Sequence, residues 1–223
     1  MGESVRAREA DLFASARRRL CERLARDGIR DARVLAAIAS IPRHLLIADA
    51  LSHQAYEDAA LPIGEGQTIS APGIVAAMSE ALELSGKERV LEIGTGSAYQ
   101  AAVLARLAER VVSIERIPEL AARARSALEQ LGVMNVVVHL GDGTRGWPSE
   151  APFDAIVVTA GGPEVPAPLL EQLAPGGRLV GPFGKRGAQM LVRVRRTHAG
   201  RFLRETLGQC RFVDLIGEHG YPA

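Results

Sequence analysis

The chain has 223 residues, 47% of them hydrophobic and 24% charged, an ordinary globular composition with length for one sizeable core and a small appendage. Lys and Arg number 27 against 26 Asp and Glu, so the net charge of +1 gives no general attraction to nucleic acid or an anionic membrane, and neither partner is expected. No stretch approaches the roughly 18–20 apolar residues of a membrane span, and the start "MGESVRAREADLF" carries charges where a secretory signal needs an apolar run; a soluble cytoplasmic protein is expected.

From Val5 to Asp27 charged and apolar residues alternate at helical spacing, which predicts a helix with Leu12, Ala16, Leu20 and Leu24 on one face and Gly28 ending it. Residues 31–55 repeat that pattern in shorter pieces, broken at Pro42. "LPIGEGQTISAP", residues 61–72, then carries a proline near each end and two glycines, and reads as a loop of defined shape rather than a strand or helix. "SAPGIVAAMSEALEL" follows as a helix with Ser70 in the N-cap position and Pro72 in the first turn. Residues 1–70 are therefore an N-terminal helical segment with its loop, and 71–223 a core, the two forming one integrated domain.

From Glu88 short β-branched runs alternate with helical segments: "RVLEIG", "AYQAAVLARLAE", "RVVSIE", "PELAARARSALEQL", "NVVVHLG", "FDAIVVTA", "PAPLLEQLA", "GRLVGPF". Buried parallel strands look like this, and the alternation predicts right-handed βαβ units in a doubly wound α/β sheet. The last part, "QMLVRVRRTHAGRFLRETLGQCRFVDLI", alternates like antiparallel strands around His198-Ala199-Gly200, which predicts a hairpin at the edge of a mixed sheet.

"RVLEIGTGSAYQ" places Gly94 and Gly96 between the first of these strands and a helix, where a glycine turn lets a ligand approach the backbone. A dinucleotide fingerprint wants a third glycine where Tyr99 stands, and a phosphate loop needs a lysine that residues 94–105 lack. The remaining pattern is a strand ending in an acid, then Gly-x-Gly, then a second strand ending in an acid. This segment resembles it as it occurs in S-adenosylmethionine-dependent methyltransferases: Glu92 precedes the turn, and Glu115 closes "RVVSIE", placed to accept from ribose hydroxyls. Asp142 in "LGDG" is then a candidate for the adenine amino group.

"LPIGEGQTISAP" followed by "VLEIGTGSAYQ", "SIERIPEL", "GDG", "FDAIVVTA", "LAPGGRLVGPFG" and "RFVDLIG" resembles the protein-L-isoaspartate O-methyltransferase family, from about Leu20 to Ile216. The resemblance implies a seven-stranded, mostly parallel Rossmann-like sheet with an antiparallel C-terminal edge. It implies repair chemistry, in which a methyl group passes from S-adenosyl-L-methionine to the free α-carboxylate of L-isoaspartyl residues in damaged proteins and peptides, leaving S-adenosyl-L-homocysteine. The ester then closes to a succinimide. It assigns cofactor contacts to Glu92, Gly94, Thr95, Gly96, Ser97, Tyr99, Glu115, Arg116, Gly141, Asp142, Gly143 and Thr159. Substrate contacts fall on Gly66, Gln67, Thr68, Ile69, Ser70, Ala160 and Val213, with Ser70 matching the active-site serine.

A carboxyl with a pKa near 4 is ionised at neutral pH, so this nucleophile needs no general base, and catalysis reduces to positioning and water exclusion. Backbone N–H groups of Gly66–Ser70, the Ser70 hydroxyl and the helix N-terminus at Ala71 are candidates to hold that carboxylate, although a serine before a helix also simply caps it. The loop from Thr159 to Pro166 is expected to line the acceptor groove, and "RFVDLI" to complete it by main-chain contacts to an extended peptide. Ala98 stands where the family usually has glycine; a right-handed conformation is expected there, at small cost. Cys21 and Cys210 are far apart and the five histidines lack ligand spacing, so no disulfide or metal is implied. A monomer is expected. A related enzyme acting on a biosynthetic peptide or small-molecule carboxylate, and a non-enzymatic cofactor-binding scaffold, are the alternatives.

Overall fold

The computed structural model describes residues 2–222, with side chains from Phe13 onward; Leu12 of the expected helical face and the terminal Met1 and Ala223 lie outside those described. Helix α1 spans Gly2–Arg26 and stops where Gly28 takes φ +117°, which lets the Ile29 N–H reach the Leu24 carbonyl at 3.0 Å and satisfy an orphan carbonyl of the last turn. Helix α2, Ala32–Ser40, is capped by the Asp31 carboxylate accepting from the Arg33 N–H, and short 3-10 turns at Arg43–Leu46 and Asp49–Gln54 follow Pro42.

The segment read as a loop is a β-hairpin. Strands β1 (Leu61–Gly64) and β2 (Gln67–Ile69) pair antiparallel, with buried Leu61 opposite buried Ile69. Its turn uses Glu65 and Gly66 with φ of +52° and +65°, the positive pair of a type I′ two-residue turn. Pro62 hid the strand, because a proline is tolerated in a short edge strand whose missing donor no neighbour needs.

Helix α3 runs from Pro72 to Ala81, and its N-cap is Ala71 rather than Ser70, with no side-chain cap from that residue. The cap comes from elsewhere: the Asp58 Oδ1 accepts the Gly73 N–H at 2.6 Å. A carboxylate already seated on that helix start removes it from the groups available to a substrate anion.

Seven strands then form the central sheet: β3 (Arg89–Ile93), β4 (Arg110–Glu115), β5 (Val136–Leu140), β6 (Phe153–Val158), β7 (Leu173–Lys185), β8 (Ala188–Arg196) and β9 (Phe202–Cys210). Their order is β5-β4-β3-β6-β7-β8-β9, parallel from β5 through β7 and antiparallel at β7-β8-β9, with residues 197–201 turning the expected terminal hairpin. Helices α4 (Tyr99–Leu104), α5 (Pro118–Gln130) and α6 (Ala167–Glu171) make the connections. The chain goes outward from β3 to β5, then returns to lay β6 on the other side of β3. That reversal opens a crevice beyond the carboxyl ends of β3 and β6.

Each face of the sheet has its own core. One joins Leu20, Leu24, Val34 and Ile38 of the N-terminal helices to Met78, Leu104 and the strand residues Val90 and Val111. The other joins Ile93, Ile156, Leu169 and Leu179 with Leu215 from the C-terminal tail. Each fully buried Leu or Ile stabilises by about 1.5–3 kcal/mol, so the N-terminal segment is fastened to the sheet by its apolar face.

Candidate functional site

Between β3 and α4 the backbone makes three residues of positive φ: Gly94 at +94°, Gly96 at +53° and Ala98 at +67°. The first glycine is required by space as well as conformation, because a Cβ on Gly94 would lie 2.5 Å from the Thr159 Oγ1. Thr159 staples the turn to β6, its hydroxyl donating to the Gly94 carbonyl at 2.5 Å and its N–H to the Ile93 carbonyl at 2.9 Å. The right-handed conformation expected at Ala98 is not observed: with φ +67° and ψ +10° it is left-handed, which costs an alanine about 1–2 kcal/mol.

Beneath the turn lies a line of buried polar groups. The Ser113 hydroxyl donates to the Glu92 Oε2 at 2.5 Å and meets the Thr95 hydroxyl at 2.6 Å. Burial pushes the Glu92 carboxyl up to about 8, with the Ser113 hydrogen bond opposing the rise and the neighbouring Glu115 charge adding to it. Glu115 is differently placed. Its Oε2 accepts the Gly96 N–H at 2.9 Å and its Oε1 the Ile117 N–H at 3.0 Å, so the carboxylate fixes the turn while lining the cleft above it.

A cleft opens beyond the strand ends, where the sheet's topology places ligand sites. Gly94, Thr95, Gly96, Ser97, Tyr99, Glu115, Arg116, Gly143 and Thr159 of the expected cofactor set line it. Glu92, Gly141 and Asp142 do not. Glu92 is wholly buried under the turn. Asp142 spends its carboxylate on the protein: Oδ1 accepts the Thr144 N–H and hydroxyl at 2.9 and 2.7 Å, and Oδ2 the Glu218 N–H at 2.8 Å. Burial alone would raise the Asp142 carboxyl, but these donors, led by Glu218, bring it below the usual value. The carboxylate expected to meet an adenine amino group thus ties the C-terminal tail to the turn after β5.

On the acceptor side Gln67, Thr68, Ser70, Ala160 and Val213 line the same cleft, whereas Gly66 sits at the hairpin tip and Ile69 points into the core. Of the loop expected to form the groove, only Thr159 and Ala160 reach the cleft. Gly161 and Gly162 are buried, the Gly161 N–H donating to the Val213 carbonyl at 2.7 Å and the Leu215 N–H to the Gly161 carbonyl at 2.8 Å. This short parallel bridge carries Val213, Asp214, Leu215 and Ile216 along the cleft wall.

The sequence reading missed several residues that shape the site. Arg43 is fully buried and donates to three carbonyls, those of Ala55 at 2.6 Å, Ala59 at 3.0 Å and Ser70 at 3.1 Å, with its guanidinium 5.5 Å from the Tyr99 ring centre. Ile114, Ile117 and Leu120 give the cleft an apolar wall, and Gln100 reaches it from α4. A lone glutamine in the apolar run "YQAAVL" was the one available signal; nothing in the composition around Arg43 distinguishes it from surface arginines.

A family profile for Protein-L-isoaspartate(D-aspartate) O-methyltransferase matches residues 15–220. The chain is 54% identical over 210 residues to the protein-L-isoaspartate O-methyltransferase of Geobacter metallireducens, covering 94% of this chain and 97% of that one. It is 58% identical over 210 residues to protein-L-isoaspartate O-methyltransferase 1 of Syntrophobacter fumaroxidans, covering 94% and 98%. A solved protein-L-isoaspartate O-methyltransferase superposes with a TM-score of 0.82 at 32% identity, over 92% of this chain and 67% of the other. A Plasmodium falciparum protein assigned the same activity, solved with S-adenosyl-L-homocysteine, gives 0.75 at 25% identity over 92% and 98%.

Proposed function

This chain belongs to the protein-L-isoaspartate(D-aspartate) O-methyltransferase family, and from that membership we infer how its cleft carries out the family's reaction. It is an S-adenosylmethionine-dependent enzyme of Rossmann-like methyltransferase fold that methylates the free α-carboxylate of isoaspartyl residues in damaged proteins and peptides.

The residues present suit the cofactor. Gly94 and Gly143, where an added Cβ would lie 2.5 Å from the Thr159 Oγ1 and the Ile93 Cγ2, pack closely against those side chains and give the cleft a floor of bare backbone. Glu115 offers a carboxylate beside that floor, and Ile114, Ile117 and Leu120 offer an apolar wall. Glu115 would take the ribose hydroxyls, the 94–97 turn and Gly143 the backbone-facing side, and the apolar wall the adenine ring. When bound, the cofactor supplies an electrophilic methyl group on a cationic sulfur.

The acceptor carboxylate arrives already ionised, so the chain's own residues have only to seat it and exclude water. Ser70 is the group best placed to orient it: half-buried, lining the cleft, and free of the helix-capping duty that Asp58 performs. Arg43 holds the Ser70 carbonyl and so sets where the hydroxyl stands. The Val213–Ile216 wall offers main chain to an extended peptide, which suits recognition through backbone with broad side-chain tolerance. Residues 1–70 act as the substrate-side segment of one integrated domain, and a monomer in a reducing cytoplasm fits two separate free cysteines.

The observation that carries this reading is the single cleft in which Ser70 and Thr68 of the N-terminal segment face the Gly94–Ser97 turn and Glu115. The test is methyl transfer from labelled S-adenosylmethionine to matched peptides bearing L-isoaspartate or L-aspartate at one position. Label on the isoaspartyl peptide alone is the expected result; label on both, or on neither with the cofactor bound, would refute the acceptor assignment.

A further inference from the structure

The β1–β2 hairpin is a two-stranded sheet of its own, separate from the seven-stranded one. Its base is anchored by Leu61 and Ile69, 5% and 1% exposed, but between them Ile63 and Gln67 are only partly buried and the other residues are exposed. From β2, Gln67 and Thr68 line the acceptor side of the cleft. From β1, Pro62, Ile63 and Gly64 line a second hollow, shared with Leu51 of the second 3-10 turn and Ala127 of α5. The strand that faces the acceptor therefore has no packed core behind it, and a lone two-stranded hairpin is marginally stable in water.

One cation supplies the missing hold. Arg123, exposed on α5, donates through Nη1 to the Ile63 carbonyl at 3.0 Å, and its Nη2 stands 3.8 Å from the Glu65 Oε1 at the hairpin tip. Among the described residues, no other side chain outside the hairpin bonds to residues 62–68, and their main-chain groups bond only within the hairpin or to Arg123. Beyond that bond the hairpin leans on the cleft floor through Ile63, whose Cδ1 would lie 3.7 Å from a Cβ on Gly96. A guanidinium suits the task, since its fork can serve a carbonyl and a carboxylate at once.

We propose that Arg123 is a positioning residue for the acceptor: by fastening β1 to α5 it keeps Gln67 and Thr68 of β2 against the cleft, so that a peptide meets a formed site. This rests on the cleft being where isoaspartyl peptides bind. Without the cation only a fraction of the molecules carries the hairpin in place, and the apparent affinity for peptide falls by that fraction. Once bound, the peptide itself holds the hairpin closed, and turnover proceeds as before.

The experiment pairs steady-state methylation of an isoaspartyl peptide with amide hydrogen exchange. Arg123→Ala is expected to raise KM for the peptide about three- to ten-fold, the scale of a charge-assisted hydrogen bond at an exposed site, with kcat within about two-fold. Arg123→Lys, which keeps a donor for the Ile63 carbonyl but loses the fork, is expected to fall between. Exchange at the amides of residues 63–68 is expected to quicken in Arg123→Ala while α5 and β3 keep their protection. An unchanged KM, a fall in kcat at constant KM, or unchanged exchange in the hairpin would each overturn the proposal. So would faster exchange throughout α5, which would make Arg123 a fastener of its own helix. Failure of the unmutated protein to methylate the peptide would instead reject the acceptor reading, while exchange would still report whether Arg123 holds the hairpin.

Discussion

The Arg43 guanidinium donates through Nη2 to the Ser70 carbonyl at 3.1 Å, across 27 positions of sequence, from a site with no solvent exposure. Among the described residues no carboxylate is bonded to it; three carbonyls and the Tyr99 ring are its company, and burial lowers its pKa against the opposing effects of Tyr99 and Asp58. The cation thus clips the 3-10 segment, the approach to the hairpin and the cleft serine together.

Replacing Arg43 with methionine leaves those three carbonyls without donors. At about 1–3 kcal/mol for each buried group left unsatisfied, a loss of roughly 3 kcal/mol or more is expected in denaturant unfolding. Arg43→Lys keeps a donor but not the fork, and should restore part of the stability while kcat for isoaspartyl peptide stays low.

Ser70→Ala and Asp58→Ala should separate positioning from capping. Because Asp58 caps α3, Asp58→Ala is expected to lower stability by about 1 kcal/mol. Ser70→Ala is expected to leave the unfolding midpoint nearly unchanged and to reduce turnover about ten-fold at unaltered S-adenosylhomocysteine affinity. The reverse pattern, stability lost and turnover intact, would return Ser70 to a capping role.

Ala98→Gly relieves a left-handed alanine at about 1–2 kcal/mol but adds the greater chain entropy of glycine, about 0.5–1 kcal/mol. A net gain of roughly 0.5–1 kcal/mol is expected from the shift in urea midpoint, with cofactor affinity unchanged, since the backbone already holds the shape that glycine would adopt.

Glu92 makes stability depend on pH. Its carboxyl titrates at about 8 in the folded protein and near 4.5 when unfolded, because burial opposes its charge. Between those values the folded state keeps a proton that the unfolded state has released. The contribution is whole below pH 4.5 and is lost as pH rises through about 8, with a slope of at most about 1.4 kcal/mol per pH unit. Glu92→Gln removes that slope, so its stability relative to the unmodified protein should improve from pH 5 to pH 9. Parallel curves for the two proteins over that range would show that Glu92 does not titrate as described.

The fold was legible because its signals are periodic: β-branched runs, helical spacing and glycines at strand ends place every strand from β3 to β9. The hairpin at 61–69 was hidden by Pro62, and the conformation of Ala98 by the ordinary residue standing there. Most of the lining of the cleft was also readable, since it follows strand ends. What escaped were the side chains whose role is set by distant partners. Asp58 caps a helix 15 residues away, Asp142 turns toward residue 218, and Arg43 is buried among carbonyls of three separate segments. No local pattern encodes such meetings, because they depend on which surfaces the packed sheet brings together.

The bridge between Gly161 and the 213–215 segment has a further consequence. That wall is neither a strand of the sheet nor a helix. It is fastened by the Gly161 and Leu215 amides, by Phe212 on Gln189, and by Glu218 on Asp142. Its release would cost far less than unfolding the sheet, so amide exchange there should proceed by local opening while β3 and β6 stay protected. A protein warmed below its melting temperature would then lose its hold on peptides before its hold on nucleoside, and calorimetric integrity would overstate the fraction of molecules still competent for repair.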